Sequence, residues 1–441
     1  MKKRAALHNL GCKVNEFETE AMRELLEKAG YEIVPFEPGA DVYVINTCTV
    51  TNIADRKSRQ MLHKARKMNP AAIVAAAGCY AQTDAQSLEK DDAVDLIIGN
   101  NRKKDIAVIL EEFERSRVRK TEVPEIGKTR EFEPLSLERT TERVRAFVKV
   151  QDGCNQFCSY CIIPYARGRV RSRSVPDILE EIGRLAETGC KEVVLTGIHL
   201  SSYGADFREG HPEDLLSLIR AVHEVPGIER IRLGSLEPMI ITEDFAAALS
   251  GLPKICPHFH LSLQSGCDAT LKRMNRRYTT EDFRRICNIL RKHFADPALT
   301  TDIIVGFPGE TEEEFAASRS FVEEMRFFET HVFQYSRRRG TRAAVMDGQV
   351  PEPVKKSRSE VLLELNHRRQ REFEERMRGK RLSVLLEEKI LADGKEYLTG
   401  HSMEYVRAAV SADGSCREND IVTICAEGFL AENLLTGSVV F

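Results

Sequence analysis

Three cysteines fall within eight consecutive residues of this chain, in the pattern C-x3-C-x2-C: Cys154, Cys158 and Cys161. Thiolates are soft ligands, and a group of them selects zinc or an iron–sulfur cluster over a hard cation. A structural zinc site closes with four ligands, whereas no fourth Cys or His follows nearby. A [4Fe–4S] cluster held by three cysteines keeps one iron open for a substrate or cofactor. The alternatives are a redox disulfide and an unrelated group of cysteines.

A second set of three cysteines is spread over the first 80 residues. Cys12, Cys48 and Cys79 each come just after an apolar, strand-like run, and helix-like segments separate the runs. This order predicts βαβ units and a parallel sheet. Because parallel strands end at one edge of a sheet, the three thiols are expected to converge there and to form a second cluster with an open iron. The alternative is three separately buried cysteines. The predicted strands are 5–10, 42–47, 73–78 and 96–100, and the predicted helices are 16–29 and 54–68.

The length and composition predict a soluble protein of several domains. At 441 residues the chain has room for about three domains. Apolar residues make up 42% and charged residues 30%, as in ordinary globular proteins. No apolar run approaches the ~18 residues of a membrane span, and the apolar stretch after the basic start is too short for a signal sequence. We therefore expect a cytoplasmic protein, whose twelve cysteines serve metal binding or catalysis rather than disulfides.

Positive charge is clustered locally, although the net charge is −3. Affinity for phosphate follows local charge rather than the average, so these clusters make a nucleic-acid partner possible. The other interpretation is a set of solvated basic faces. The runs are Arg167, Arg169, Arg171 and Arg173; Lys272, Arg273, Arg276 and Arg277; and Arg337, Arg338, Arg339 and Arg342.

The middle of the chain alternates strand-like and helix-like segments, with strands predicted at 146–150, 192–198, 230–236, 258–264, 299–305 and 329–335. Six βα units make a partial TIM-like (β/α)6 barrel, with its chemistry at the carboxyl ends of the strands and a lateral opening for a large substrate. A charged helix over 353–380 leads to short alternating strands at 382–387, 406–410 and 421–426, which predict a small β-barrel. The chain is thus divided into an N-terminal parallel α/β domain (1–118), a linker (119–142), a barrel core (143–375) and a C-terminal β-barrel (376–441).

The cysteine motifs resemble those of the radical S-adenosylmethionine (SAM) methylthiotransferases. The C-x3-C-x2-C spacing is that of the radical SAM superfamily, and the three N-terminal cysteines lie in Leu-Gly-Cys-Lys-Val-Asn, Asn-Thr-Cys-Thr-Val and Ala-Gly-Cys-Tyr-Ala-Gln. Among the branches of the family, Gly-Cys-Lys-Val-Asn is similar to the one that acts on N6-threonylcarbamoyladenosine in tRNA. The branches that act on isopentenyl-adenosine in tRNA and on a ribosomal-protein aspartate remain alternatives. An iron–sulfur protein that binds RNA or senses redox state without catalysis is a further alternative.

The resemblance implies two [4Fe–4S] clusters and SAM. Cys154, Cys158 and Cys161 would hold the cluster that cleaves SAM reductively, and Cys12, Cys48 and Cys79 the cluster that supplies sulfur. SAM also donates the methyl group. Residues at the strand ends, including a Gly-Phe-Pro-Gly-Glu-Thr turn, are implied to contact SAM. They are Tyr160, Thr196, Gly197, Glu237, Ser262, Gln264 and Phe307.

The resemblance also implies partners. These are tRNA, an electron donor such as a flavodoxin or ferredoxin, and a sulfur source, with no membrane contact. The segment Thr-Gly-His-Ser-Met-Glu-Tyr at 399–405 resembles the TRAM domain, a small RNA-binding β-barrel; the alternative is a stability cap. The threonylcarbamoyl group carries a carboxylate, so an Arg or Lys is expected to pair with it. The candidates are Lys13, Arg337, Arg338 and Arg342.

Overall fold

The computed structural model describes residues 2–139, 144–208 and 213–440. The first part is a parallel sheet of six strands: β1 (Arg4–Asn9), β2 (Glu32–Ile33), β3 (Val42–Thr47), β4 (Ile73–Gly78), β5 (Leu96–Ile98) and β6 (Lys120–Glu122). Five helices accompany it: α1 (Lys13–Lys28), α2 (Asn52–Met68), α3 (Cys79–Thr83), α4 (Ala85–Glu89) and α5 (Ile106–Ser116). The strand order is β2-β1-β3-β4-β5-β6.

The parallel sheet predicted for this part is confirmed. All residues of β3 and β4 are buried, as expected for parallel strands covered by helices on both faces. Gly30 follows α1 with φ +90°, a left-handed conformation that glycine adopts without strain. Strands β2 and β6 were not predicted, because two or three residues show no periodicity. Strand β6 pairs with β5 inside the stretch assigned to the linker, and the domain boundaries stay predictions.

The described residues of the central part form seven strands: β7 (Arg145–Asp152), β8 (Arg171–Ser172), β9 (Glu192–Gly197), β10 (Arg230–Leu233), β11 (His258–Gln264), β12 (Ala298–Val305) and β13 (Glu329–Gln334). Its helices are α6 (Ile163–Arg167), α7 (Val175–Glu187), α8 (Leu215–His223), α9 (Glu243–Ser250), α10 (Asp268–Arg273), α11 (Thr280–His293) and α12 (Glu312–Met325). The strands form two sheets, β10-β9-β7-β8 and β11-β12-β13, and a bridge between Leu236 and Leu261 joins them.

The six predicted barrel strands are therefore present and mutually parallel. The short β8 was not predicted, and it pairs antiparallel with β7. Helix α1 of the N-terminal part packs on β7: Phe17 belongs to the core of the barrel, and the Lys149 ammonium pairs with the Glu18 carboxylate at 2.7 Å. The N-terminal part thus fills some of the lateral opening that six strands were expected to leave.

The C-terminal part begins with the long helix α13 (Glu352–Met377). A closed barrel follows, formed by β14 (Arg381–Ala392), β15 (Lys395–Ser402), β16 (Arg407–Ser411), β17 (Ile421–Ala431) and β18 (Leu434–Val439). The predicted barrel is confirmed, although β15 and β18 were missed. No helix in the described part of the chain combines the length and apolar character needed to cross a bilayer.

The TRAM-like segment 399–405 packs against the amino-terminal ends of the central barrel strands. Tyr405 stacks on His258 with ring centroids 4.6 Å apart, and Arg232 lies over the same ring at 4.8 Å. Arg232 also donates to the carbonyl oxygens of Ser402 and Met403. This segment therefore joins the two barrels, and it makes its contacts with residues of the central barrel.

Glu374, near the end of α13, is buried, and its Oε2 atom has no hydrogen-bond partner. Burial raises the pKa of this carboxyl group to about 7. The folded state then holds this proton more tightly than the unfolded state, so its stability falls as pH rises from about 4.5 to about 7.

We expect Glu374→Gln to raise the free energy of unfolding by about 2 kcal/mol at about pH 8, where the wild-type side chain is charged. Near pH 4.5 the two proteins should differ little, because Glu374 is then protonated in the folded state. Urea unfolding at both pH values measures this difference. A gain of the same size at both would mean that ionisation of Glu374 is not its cause.

Candidate active site

The loop between β7 and α6 holds Cys154, Cys158 and Cys161 side by side. A Cβ on Gly153, which has φ +73°, would lie 1.8 Å from the carbonyl oxygen of Arg169, so only glycine fits. Burial, with a further contribution from Cys158, raises the pKa of Cys154 to about 11 and of Cys161 to about 12. Free nucleophilic cysteines have lowered pKa values. The loop is suited instead to thiols that lose their protons on binding metal.

Arg276 connects this loop to the strand ends that were expected to contact SAM. It donates to the Cys158 sulfur at 3.3 Å, to the Glu237 carboxylate at 2.8 Å and to the Ser262 carbonyl oxygen at 3.0 Å. Burial by itself raises the pKa of Glu237, but the His199 imidazole, whose Nε2 lies 3.7 Å away, and the hydrogen bond from Arg276 hold it below its usual value. Glu237 is therefore a fixed anionic acceptor, suited to hydroxyl donors such as those of a ribose.

Tyr160 belongs to the loop itself, next to Phe307, and lines one cavity together with Gln264. The rings of Tyr160 and Phe307 meet edge to face, with centroids 6.5 Å apart. Phe307 is fully buried against Tyr335, and Gln264 ends β11 with φ +69°. Aromatic rings and a buried amide at this point suit an adenine base.

Thr196 and Gly197 end β9. The Gln151 side chain lies between Gly197 and the cysteine loop. A Cβ on Gly197 would lie 2.8 Å from the Gln151 side-chain oxygen. The Gln151 amide donates to the Gly153 carbonyl oxygen at 2.8 Å. The predicted SAM contacts thus lie on several sides of the first cysteine triad, and their contact with SAM stays a prediction.

A cavity of about 230 Å³ opens beside this triad, between the N-terminal and central parts. Val50 and Thr51 contribute from the N-terminal part, close after Cys48 in the chain. Tyr160, between two cysteines of the first triad, contributes from the central part. The remaining lining residues are Gln264, Asp302, Ile304, Phe333, Gln334, Tyr335 and Ser336. Segments next to both triads therefore border one cavity.

The second triad lies at the carboxyl ends of three adjacent parallel strands, as the sequence predicted. Cys12 caps α1, Cys48 follows β3, and Cys79 begins α3. A Cβ on Gly11, with φ +116°, would lie 3.1 Å from the Cys48 sulfur. Burial raises the pKa of Cys48 to about 12, with Cys79 and Cys12 adding to the effect. The three thiols are therefore near neighbours.

Arg167 is the residue that sequence reasoning placed most wrongly. It is fully buried beside the second triad, rather than on a basic surface. Its Nε donates to the Cys79 sulfur at 3.2 Å, while its other nitrogens donate to Glu18, Asp152 and Asn15. Because Asp152 lies two residues before Cys154, Arg167 connects the two triads. Its position in a run of alternating arginines suggested only surface charge.

The buried groups around Arg167 fit an anionic cluster at the second triad. The cations Lys103, Lys149, Arg167 and Arg171 are buried with the carboxylates Glu18, Glu133 and Asp152. Four cations thus face three carboxylates, and buried charges need partners. Deprotonated thiols of the triad would supply the missing negative charge.

Other arginines of the basic runs are also buried or ion-paired within the protein. Arg171 and Arg173 are buried, and Arg173 pairs with Glu181. Arg273 pairs with Glu314, whereas Arg169, Lys272 and Arg277 are exposed. The four candidate partners for the substrate carboxylate differ in their exposure and contacts. Arg338 is buried and pairs with Asp55 at 2.7 Å, and Arg337 donates to a carbonyl oxygen. Arg342 is exposed, and Lys13 points toward β7.

His260 on β11 lies close to Asp302 and His331, and the ligand-type atoms of the three side chains lie within 4.8 Å of one another. The imidazole bonds both Thr300 and Asp302. This group forms a polar wall next to the cavity, which Asp302 also lines.

Comparisons with known proteins agree with this arrangement. Residues 148–322 match the radical SAM superfamily, and residues 4–99 match an uncharacterized protein family, UPF0004. A radical SAM methyltransferase from Kitasatospora setae, TsrM, solved with cobalamin and a [4Fe–4S] cluster, has a TM-score of 0.54 at 17% identity, covering 78% of this chain and 77% of that one. At this identity the likeness supports the fold alone.

Curated relatives are more similar. A threonylcarbamoyladenosine tRNA methylthiotransferase of Bacillus subtilis is 41% identical, over 91% of this chain and 89% of the relative. Another from Aquifex aeolicus is 42% identical, over 87% and 92%. A tRNA-2-methylthio-N6-dimethylallyladenosine synthase of Acetivibrio thermocellus is 39% identical, over 88% and 81%. The radical SAM domain implies SAM and a [4Fe–4S] cluster. The two cysteine triads, the barrel and the similarity over most of the chain lead to one conclusion. The chain belongs to the radical SAM methylthiotransferase family.

Proposed function

We propose that this protein adds a methylthio group to C2 of N6-threonylcarbamoyladenosine beside the anticodon of tRNA, in the cytoplasm. The observation that carries the proposal is that segments next to both cysteine triads line one cavity. Such an arrangement serves a reaction in which one target atom is activated from one side and receives sulfur from the other. The names of the most similar curated relatives support the same substrate.

The chain's own residues have separate roles in this proposal. Cys154, Cys158 and Cys161 hold a [4Fe–4S] cluster that, when bound, allows reductive cleavage of SAM. Tyr160, Phe307 and Gln264 receive the adenine of SAM, while Glu237 accepts from its ribose and Thr196, Gly197 and Ser262 complete the pocket. Cys12, Cys48 and Cys79 hold the second [4Fe–4S] cluster, which is the source of sulfur. Arg167 and Arg276 donate to one sulfur of each triad and hold it in position.

The direct test is anaerobic turnover with SAM, a reductant and tRNA bearing threonylcarbamoyladenosine, followed by mass spectrometry of the nucleosides. A flavodoxin or ferredoxin is the expected electron donor, and added sulfide would replenish the sulfur that the second cluster gives up. The 2-methylthio derivative is expected. Its absence, with 5′-deoxyadenosine still formed, would reject this substrate.

The same assay separates the alternative substrates. Isopentenyl-adenosine tRNA is the first comparison, because a relative named for that type of product is 39% identical. A ribosomal protein with its target aspartate is the second. A non-catalytic iron–sulfur protein would form no 5′-deoxyadenosine with any of them.

We take Lys13 first among the candidate partners for the threonylcarbamoyl carboxylate. Arg338 already pairs with Asp55. Lys13 follows Cys12 and places its ammonium 6.0 Å from the Phe147 ring centroid on β7. In the described part of the chain no carboxylate lies within ion-pair distance of it. Arg145 and Arg232, which both face Tyr405, are also near Lys13, and Glu192 pairs with Arg232 at 2.8 Å and lies 4.0 Å from Arg145.

We expect Lys13→Ala to raise the KM for tRNA bearing threonylcarbamoyladenosine about 10- to 100-fold, because the carboxylate loses a charge-assisted hydrogen bond in a partly desolvated site. Lys13→Arg should retain most of the affinity. Steady-state assays on modified and unmodified tRNA measure the effect, with iron content as the control for the neighbouring Cys12. An equal loss on both RNAs, or a larger loss in Arg342→Ala, would contradict the assignment.

A further inference from the structure

Helix α2 carries the densest positive charge of the described surface helices without matching acids. It contains six Lys and Arg residues, and Asp55 is its single acidic residue. Cations and polar groups recur along one exposed face and line a shallow hollow. This cationic stripe consists of Arg56, Arg59, Gln60, His63, Lys64 and Lys67.

Three cations of the stripe lack ion-pair partners in the described part of the chain, whereas His63 lies 2.8 Å from the Asp91 carboxylate and Arg59 donates to the Tyr80 hydroxyl. Within the described residues, Arg56, Lys64 and Lys67 have no carboxylate at ion-pair distance, and all three are exposed. On other exposed helices cations are commonly paired: Arg285 with Asp282, Lys356 with Glu360 and Arg368 with Glu323. Paired cations of this kind are neutralised locally, whereas the stripe presents its charge to solvent.

The helix that carries the stripe begins at the mouth of the active-site cavity. Thr51 caps α2 and lines the cavity. The next residue, Asn52, accepts from Arg338 and donates to the Ser336 hydroxyl and the Arg337 carbonyl oxygen on the barrel side. These contacts fix the direction of α2 relative to the cavity.

Apolar side chains surround the same mouth. Val50, Ile53 and Phe333 are exposed to 51%, 57% and 46%, which is unusual for large apolar residues. Val50 and Phe333 line the cavity, and Ile53 lies on the first turn of α2. Apolar and aromatic side chains that border a positively charged surface are characteristic of sites that bind splayed, single-stranded nucleotides.

We propose that the cationic stripe of α2 binds the phosphates of the RNA strand whose target base enters the cavity. From Arg56 to Lys67 the helix rises about 16 Å, enough for several consecutive phosphates. Such contacts orient the strand without reading its sequence. This inference rests on the proposed tRNA substrate and adds the surface that guides the anticodon strand.

The regions that the sequence suggested for RNA contact offer less. The arginines at 167, 171 and 173 are buried within the protein, as is Arg338. In the C-terminal barrel, the TRAM-like segment packs on the central barrel through His401, Ser402 and Tyr405. The exposed cations of the predicted basic runs are single residues such as Arg169, Lys272, Arg277 and Arg342, whereas α2 carries several exposed cations on one helix face.

The test compares two triple variants of the full chain, each of which removes three positive charges. The first is Arg56→Gln, Lys64→Gln and Lys67→Gln. The matched control is Arg285→Gln, Lys356→Gln and Arg368→Gln, whose cations are exposed but paired. Binding of an anticodon stem-loop RNA is measured by fluorescence anisotropy over a range of salt concentrations, and circular dichroism checks folding.

We expect the stripe variant to bind about 10- to 50-fold more weakly, and the slope of log Kd against log salt to fall by about two, since each lost phosphate contact contributes about 0.7 to 0.9. The control should change neither quantity by more than about twofold, because long-range charge is screened. Equal losses in both variants, or none in the stripe variant, would overturn the inference. If the wild-type chain does not bind this RNA at all, the proposed function fails instead.

Discussion

Cys158→Ala is expected to abolish 5′-deoxyadenosine formation, whereas Cys12→Ala should leave it intact and abolish only the methylthiolated product. The physical reason is that each triad is a separate ligand set. Cys158 lies with Cys154 and Cys161 in one loop, while Cys12 lies at the edge of the N-terminal sheet. A [4Fe–4S] cluster cannot be held stably by two of three protein ligands when the fourth position is open.

The measurements are product analysis by mass spectrometry and iron content per chain. Each variant should lose about half of its iron, since one of two four-iron clusters is lost. Cys287→Ala is the control, because Cys287 is buried in the barrel core and outside both triads. If Cys12→Ala also stopped SAM cleavage under these conditions, the division of labour between the triads would be wrong.

Arg167→Met is expected to destabilise the folded protein by about 3 to 5 kcal/mol, because it removes the buried ion pairs and hydrogen bonds that Arg167 makes with Glu18 and Asp152. It should also impair assembly of the second cluster, since the Cys79 sulfur loses a charged donor at 3.2 Å. Formation of 5′-deoxyadenosine should persist, because Cys154, Cys158 and Cys161 are unchanged.

Two further variants separate positioning from general stability. Arg167→Lys keeps the charge but cannot bridge Cys79, Glu18 and Asn15 at once. This variant should therefore recover the free energy of unfolding more fully than it recovers the iron content. Arg173→Met removes another buried arginine, the partner of Glu181, and should lower stability without loss of the second cluster. Iron content, the absorption spectrum of the clusters and urea unfolding are the readouts. Normal iron content and product formation in Arg167→Met would contradict the role given to this residue.

The elements and the six cysteines were accessible to sequence reasoning because their signals are local. Apolar runs that alternate with helical segments predicted the parallel sheet and the six barrel strands. Each cysteine could be placed because it follows a recognisable strand. Short edge strands such as β2 and β6 gave no such signal, because their existence depends on the neighbouring strand rather than on their own residues.

The environment of the charged residues, in contrast, could not be predicted from local sequence signals. Arg167, Arg171 and Arg276 resembled surface cations in the sequence, and the structure buries them against groups far away in the chain. Arg167 meets Cys79 across 88 residues and Glu18 across 149. An alternating run of arginines shows charge, but whether that charge faces water or a buried carboxylate depends on partners that only the folded chain brings near.

The cavity shows the same division. The sequence by itself determined the ligand types, the order of the triads and the class of fold, because spacing and periodicity are properties of neighbouring residues. Only the tertiary structure decided that Thr51 and Tyr160 share one cavity, that the TRAM-like segment packs on the central barrel, and that α2 extends its unpaired cations from the cavity mouth. Those relations arise from packing between separate parts of the chain, and no local pattern of residues encodes them.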